Sequence, residues 1–357
     1  MRLKVLSVGY PLAPVGPDAA GGSEQILTLL DRELVRRGDT SVVVACSGSK
    51  VEGTLVENCL PPGIIDGRVH SEAQERHRQA IAAALERWEF DLIHMHSLDF
   101  HAYLPPDGPP LLVTLHLPPD WYPAGVFHPT RPRMWLHCVS ASQESRCPES
   151  DALLPFIENG VPLERLRTSV SRRSYVLTLG RVCPEKGLHH ALDAAAMAGV
   201  PAIVAGEIFP YREHEEYYRQ ELAPRLDGRT RRFIGPTGFA RKRRLLAGAR
   251  CLLVPSLVPE TSSLVAMEAL ACGTPVVAFP SGALPEIVEP GHTGYLVHDA
   301  SEMAEAIRMA DRIDREACKA EARRRFSAER MIARYIERYE SLAGAARTME
   351  ASGDPGA

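Results

Sequence analysis

Short, unbroken apolar runs alternate with amphipathic segments along most of this chain, and the alternation starts over once. In the first round, strand-like runs at 3–9, 40–45, 92–96, 111–115 and 136–140 are separated by helical patterns at 23–37 and 71–86. The first helical pattern places Ile26, Leu27, Leu29, Leu30 and Leu34 near one face and meets Gly38, a residue suited to stopping a helix. A strand that is apolar at every position, not every second one, is buried on both faces. Such strands interleaved with helices predict a parallel sheet with helices on both sides.

The second round begins near Tyr175. Strands are expected at 175–179, 201–205, 232–234, 251–254, 275–278 and 295–297, with helices at 187–198, 241–249 and 262–271. From Ser301 the pattern is helical, closing with 328–341. Between the rounds, 156–162 is turn chemistry and the stretch to Arg173 is polar and basic, which reads as a linker. The length is 357 residues, and roughly 150 residues make a domain. The expectation is therefore an α/β protein with two doubly wound, Rossmann-like domains, at 1–168 and 169–325. A C-terminal helix at 326–343 is expected to pack back on the first domain, with 344–357 as a flexible tail. Doubly wound domains take ligands outside the carboxyl ends of their strands, here in a central cleft between the two.

Lys+Arg 41 against Asp+Glu 45 leaves a net charge of −4, which does not favour a protein that coats nucleic acid. No apolar run reaches the ~18 residues of a membrane span. The N-terminus enters a strand directly and lacks the apolar region of a signal peptide. Eight cysteines occur without a C-x-x-C pair, which reads as reduced thiols in a cytoplasmic protein. His94-x-His96 lacks further ligands at metal-site spacing, so no metal is expected. There is no G-x-G-x-x-G after the first strand, which weakens a dinucleotide reading, and no G-x-S-x-G elbow.

Two stretches carry chemistry. In TLGRVCPEKG, a strand ends at Gly180, and Arg181 and Lys186 sit in the loop before a helix. Cations at a helix N-terminus oppose its dipole unless an anion is present; with a phosphate, both cations and the helix end converge on it. The bland alternative is a solvated loop. In VPETSSLVAMEALA, Glu260 precedes a helix capped by Thr261, Ser262 or Ser263, and Glu268 lies among Leu264, Val265, Met267, Ala269 and Leu270. A carboxylate there is expensive unless exposed or hydrogen-bonded. Eight residues of helical rise span ~12 Å, too far for a proton-sharing dyad but suited to two hydroxyl-bearing parts of one elongated ligand. A capping Glu260 with a water-facing Glu268 fits the spacing equally well.

Taken together, G-R-x-x-x-E-K-G at 180–187, the Glu260-x7-Glu268 pair, MEALACGTPVVA at 267–278, GALPEIV at 282–288 and GHTGYLV at 291–297 resemble the donor half of the GT-B glycosyltransferases of family 4. GGSE at 21–24, DLIHMH at 91–96, LLVTLH at 111–116 and ENGV at 158–161 are similar to its first half. The resemblance implies a retaining enzyme that uses a nucleoside-diphosphate sugar as co-substrate, needs no metal or other cofactor, and glycosylates a hydroxyl acceptor. It implies that Arg181 and Lys186 neutralise the diphosphate, that Glu268 holds the ribose and that Glu260 holds a sugar hydroxyl. Backbone N–H groups of Thr261, Ser262, Ser263 and Leu264 would meet the sugar or its phosphate. Gly180 would end the strand beneath it, Gly22 would let the first domain's backbone approach the phosphate, and His116 would touch the donor sugar.

Two departures stand out. Thr261, Ser262 and Ser263 follow Glu260 where the family often has an aromatic residue and glycine, and Leu117 follows His116 where it often has aspartate. The donor sugar and the acceptor therefore do not carry over. Trp121 and Tyr122, in an aromatic, proline-rich stretch, are candidates for acceptor contacts, with structural packing as the alternative. The basic runs at 229–232 and 241–244 read as solvated faces, with peripheral contact to the inner membrane face left open. The competing readings are a sugar-nucleotide-binding protein without turnover and another GT-B enzyme such as an epimerase or phosphorylase.

Overall fold

Both rounds of apolar runs form parallel sheets in the computed structural model, which describes residues 2–58, 63–171 and 173–352. The chain divides into two units, 1–158 with 329–357, and 159–328.

The first unit holds β1 (Lys4–Val8), α1 (Gly22–Arg37), β2 (Thr40–Cys46), β3 (Thr54–Asn58), α2 (Gly67–Arg87), β4 (Leu92–Met95), β5 (Leu111–Thr114), β6 (Met134–His137), α3 (Ala141–Glu144) and β7 (Leu153–Leu154). Its strands lie in the order β3-β2-β1-β4-β5-β6-β7, with Leu6 of β1 opposite both Val42 and Ile93. β4 and β5 are buried at every position, as an unbroken apolar run requires. The edge strand β3, reading TLVEN, has no such run, and β7 is two residues long; neither stands out in the sequence. At the end of α1, the N–H groups of Gly38 and Asp39 donate to Val35 and Leu34 carbonyls. α2 starts earlier than its apolar pattern suggests because Asp66 caps it, accepting from the Val69 N–H at 2.9 Å.

The second unit holds α4 (Leu163–Leu166), β8 (Val176–Leu179), α5 (Leu188–Ala198), β9 (Ala202–Ala205), α6 (Arg212–Tyr217), β10 (Arg231–Phe233), α7 (Phe239–Gly248), β11 (Leu252–Val254), α8 (Leu264–Ala271), β12 (Val276–Ala278), α9 (Leu284–Ile287), β13 (Gly294–Leu296), α10 (Ala300–Met309) and α11 (Arg315–Arg325). The sheet order is β10-β9-β8-β11-β12-β13. Successive strand residues feed opposite faces: Leu177, Leu252 and Val276 enter one core, Val176, Leu253 and Val277 the other. β8 and β11 are neighbours although β9 and β10 intervene in sequence. That switch point is where a doubly wound sheet opens a crevice at its carboxyl end.

The last helix, α12 (Ala328–Ser352), groups with the first unit from Glu329 onward. It buries Tyr335, Ile336 and Tyr339. Residues 344–352 of the expected tail continue this helix, and 353–357 lie outside the described residues. The division between units falls at Asn159, not at 169. The Val161 N–H donates to the Phe326 carbonyl at 2.8 Å, the Ala328 N–H returns to Val161 at 3.0 Å, and Leu166 is buried in the second core. The polar stretch read as a linker is thus tied into the second unit. Among the described residues, no helix is long and apolar enough to cross a membrane.

Candidate functional site

In the second unit, both motif loops leave the sheet at the switch point. After β8, the Gly180 N–H donates to Ala205 at 3.1 Å, and a single turn at Pro184–Lys186 leads to Gly187. Gly187 has φ 58°, and a Cβ there would lie 2.2 Å from the Pro255 carbonyl oxygen. Only glycine allows the two loops this approach. Across the seam, the Leu257 N–H donates to the Glu185 carbonyl at 2.8 Å.

The side chains follow. Lys186 Nζ lies 2.5 Å from Glu260 Oε1, and the Ser256 hydroxyl donates to the same oxygen. The Glu260 carbonyl accepts the Ala283 N–H at 2.8 Å, and Gly282, at φ 60°, would place a Cβ 2.2 Å from that carbonyl oxygen. Glu260 is therefore held from three loops. Its side chain is 9% exposed and that of Lys186 27%. Arg181, half-buried in the same loop, has no ion-pair partner among the described residues.

α8 begins at Leu264, not at Ser262, and its N-cap residue Ser263 makes no side-chain cap bond. With φ −123° and ψ 87°, Ser263 lies outside the β-region geometry of a capping serine. The Ser262 hydroxyl is buried and without a partner. Neither Ser262 nor Ser263 thus caps α8 through its side chain.

Glu268 does not face water. It is 2% exposed and pairs with Lys242 Nζ at 2.6 Å. Lys242 belongs to the basic run at 241–244, so that run is not uniformly a solvated face. Lys242 and Leu246, four residues apart, share the buried side of α7. That spacing is the sequence signal that could have found the pair. Arg243 instead donates to the Arg165 carbonyl at 3.0 Å.

Cys183, Glu185 and His214 place ligand-type atoms within 4.8 Å of one another. Burial pushes the Cys183 thiol up to about 12 despite the pull of Arg181 and Lys186. Burial and then Arg181 push His214 below the ordinary histidine range. Arg181 and Lys186 beside this trio add positive charge, which disfavours a further cation there.

In the first unit, His116 follows β5. Its N–H and that of Leu117 donate to the Tyr122 hydroxyl at 3.0 and 3.1 Å. Gln143 Nε2 donates to the Leu115 and Leu117 carbonyls, both at 2.9 Å. Of the two acceptor candidates, Trp121 is 49% exposed, while Tyr122 is buried and props the His116 backbone. Gly22 opens α1 behind the N-cap Gly21. His94 and His96 are buried members of a polar chain with Thr114, His137, Tyr335 and Tyr339. Gln143, Thr114 and His137 were not singled out in the sequence, and Tyr335 and Tyr339 stood out only as part of the last helix's pattern. Their spacing, from 114 to 339, carries no local signal.

Residues 20–153 match the family described as "Glycosyltransferase Family 4", and residues 173–310 that described as "Glycosyl transferases group 1". The phosphatidyl-myo-inositol mannosyltransferase of Mycobacterium leprae is 26% identical over 93% of this chain and 96% of that protein. A D-inositol 3-phosphate glycosyltransferase of Mycolicibacterium paratuberculosis is 36% identical over 42% of this chain, but that segment is 32% of its own length. Among solved structures, AviGT4, a glycosyltransferase involved in avilamycin A biosynthesis, is similar at TM-score 0.69 and 25% identity, covering 96% of this chain and 98% of that one. The sucrose-phosphate synthase of Thermosynechococcus elongatus shares the fold at TM-score 0.79 and 20% identity, covering 96% and 100%.

Proposed function

Because the chain belongs to the group 1, family 4 glycosyltransferases and carries the two Rossmann-like units of the GT-B type, we propose that it moves a sugar, with retention, from a nucleoside-diphosphate sugar to a hydroxyl acceptor. The observation that carries this reading is the junction of the two motif loops, where Lys186 meets Glu260 at 2.5 Å just ahead of α8.

In the reaction, the bond between the sugar's anomeric carbon and the diphosphate oxygen breaks, and the acceptor oxygen bonds to that carbon from the same face. The acceptor's proton leaves with the departing phosphate oxygen. Negative charge grows on the diphosphate as the bond lengthens. Arg181, Lys186 and the first N–H groups of α8 stabilise that charge more in the transition state than in the bound donor. Two fixed cations then take the part a divalent ion plays elsewhere, so the reaction proceeds without a metal. Glu260 accepts from a sugar hydroxyl while Ser256 keeps it oriented. Glu268 accepts from the ribose hydroxyls, and Lys242 fixes its carboxylate in place. His116 and Gly22 belong to the sugar and phosphate contacts of the first unit. A cytoplasmic site of action suits the thiols: none of the described cysteines forms a disulfide.

The test is a thermal-shift panel of UDP, GDP, ADP and dTDP against the wild type and Glu268→Gln, followed by product analysis with sugars of the responding nucleotide. A ligand at about 100 times its Kd adds about 2.7 kcal/mol to stability. One diphosphate stabilising the wild type and failing on the variant supports the donor site. No response to any diphosphate from folded protein overturns it.

A further inference from the structure

Inside the first unit, polar side chains form one hydrogen-bonded chain, and counting protons along it gives a single solution. Thr114, His94, His96, His137, Tyr335 and Tyr339 are all buried. Burial lowers His137 to about 3, His94 and His96 well below 6.5, and His116, densely surrounded but partly exposed, in the same direction. Each ring is therefore neutral and carries one N–H.

The count starts at a backbone carbonyl, which can only accept. His137 Nδ1 lies 2.9 Å from the Cys138 oxygen, so Nδ1 carries the proton and Nε2 is the acceptor. The Thr114 hydroxyl, 2.8 Å from His137 Nε2, must donate its only proton there. Thr114 then accepts from His94 Nε2 at 2.8 Å, with Tyr335 donating weakly to it at 3.3 Å. His94 Nδ1 is thereby an acceptor. It receives His96 Nε2–H at 3.0 Å and the Tyr339 hydroxyl at 2.6 Å, a three-centre arrangement. His96 Nδ1 is left as an acceptor and receives His116 Nε2–H at 3.4 Å. The opposite polarity, with Nδ1–H on His94, would require Thr114 to donate two protons.

We infer that His96 is the positioning residue of His116: the chain that starts at the Cys138 carbonyl fixes the His116 proton on Nε2 and makes Nδ1 its acceptor nitrogen. In the glycosyltransferase reading, on which the use of this arrangement rests, the fixed tautomer decides which ring nitrogen of His116 donates and which accepts. Which nitrogen of a histidine carries its proton is set by the bond the other nitrogen makes. Here that setting is relayed through three further side chains and closed off by two tyrosines of α12.

The experiment is a long-range proton–nitrogen NMR correlation on the full chain with nitrogen-15 histidine, assigned by single His→Gln substitutions among the 13 histidines. The wild type is expected to show Nε2–H on His94, His96 and His116, and Nδ1–H on His137. Thr114→Val removes the hydroxyl that forbids the opposite polarity. His94, His96 and His116 should then shift toward values averaged over two tautomers while His137 stays unchanged. Tyr339→Phe removes only the second donor on His94 Nδ1 and should leave all four rings as they were. A wild-type His116 protonated on Nδ1, or unchanged signals for the three rings in folded Thr114→Val, overturns the assignment. The wild-type spectrum decides it even if that variant does not fold. None of these signals depends on turnover, so an absence of transferase activity overturns the functional reading and leaves this result standing.

Discussion

Lys186 Nζ and Glu260 Oε1 stand 2.5 Å apart although 74 residues separate them in sequence. The pair joins the loop after β8 to the loop after β11, so it is the point at which the sheet's switch becomes a site. Each charge is compensated by the other. A cation beside a carboxylate suits a ligand with an anionic end and a hydroxyl-bearing end, as the proposed donor has. Lys186→Met and Glu260→Gln are each expected to lower kcat by about 10²–10³-fold, the cost of losing one preorganised polar contact to a developing charge. Thermal stability should move little, because a pair with one end this exposed contributes about 1 kcal/mol or less. Steady-state kinetics beside melting curves check both halves. A variant that loses stability and activity in parallel would reduce the pair to a structural tie.

Lys242 and Glu268 differ from that pair in burial. Their side chains are 10% and 3% exposed. Removing one partner of a buried pair strands the other, at a cost of about 3–5 kcal/mol. Lys242→Met should fall in that range by urea denaturation. The double variant Lys242→Met with Glu268→Gln should recover most of the loss, because no unpaired charge remains. Nucleoside-diphosphate binding should not recover with it if Glu268 holds the ribose as proposed. Recovery of both would remove Glu268 from the donor site.

Acid should weaken the first unit in a defined window. His77, buried against the Gly9 carbonyl at 2.9 Å, is lowered to about 4, and His137 to about 3, with His94, His96 and His116 shifted the same way. All five stay neutral in the fold while the unfolded chain takes up protons near 6.5. Below that pH the unfolded state binds more protons, so stability falls as pH drops, and the full contribution is present only above about 7. Each such histidine adds a slope of about 1.4 kcal/mol per pH unit. Urea midpoints between pH 7 and 5, above the carboxylate range, should fall steeply. His77→Gln, which keeps a donor for Gly9, should flatten the slope by about one proton.

How far the sequence could be read depends on where each signal lies. Every strand buried on both faces announced itself as an apolar run, and Leu252 beside Leu253 shows why: the two residues enter cores on opposite sides of one sheet. Gly187 and Gly282 were visible only as motif letters, and their reason is a carbonyl from another loop. Glu260 and Lys186 were legible as separate residues but not as partners, because nothing local links position 186 to 260. Lys242 was hidden by composition: within a basic run, only the helical face at Leu246 distinguishes it. The polar chain from His137 to Tyr339 lay beyond local reading altogether, since its members come from three strands, one loop and the last helix. Sequence periodicity reports what an element buries, and leaves open which distant polar atom will meet it there.

Cys138 and Cys147 bracket α3 with their sulfurs 3.4 Å apart. The hydrogen bond between the thiols lowers Cys147 and raises Cys138. Cys147 is also partly exposed whereas Cys138 is buried. The thiolate is the reacting form, so Cys147 should be the first of the described cysteines to react with iodoacetamide under native conditions, as read by peptide mass mapping. Cys138→Ala removes the supporting hydrogen bond and should slow that reaction several-fold. Oxidised glutathione should convert the pair to a disulfide, releasing two reduced glutathione molecules and removing two titratable thiols. Gln143 sits between the cysteines and holds the Leu115 and Leu117 carbonyls on either side of His116. Closing the bond therefore tightens the segment that positions His116, and the oxidised protein should show altered His116 nitrogen signals. Oxidation that leaves those signals in place would separate the thiol pair from the site.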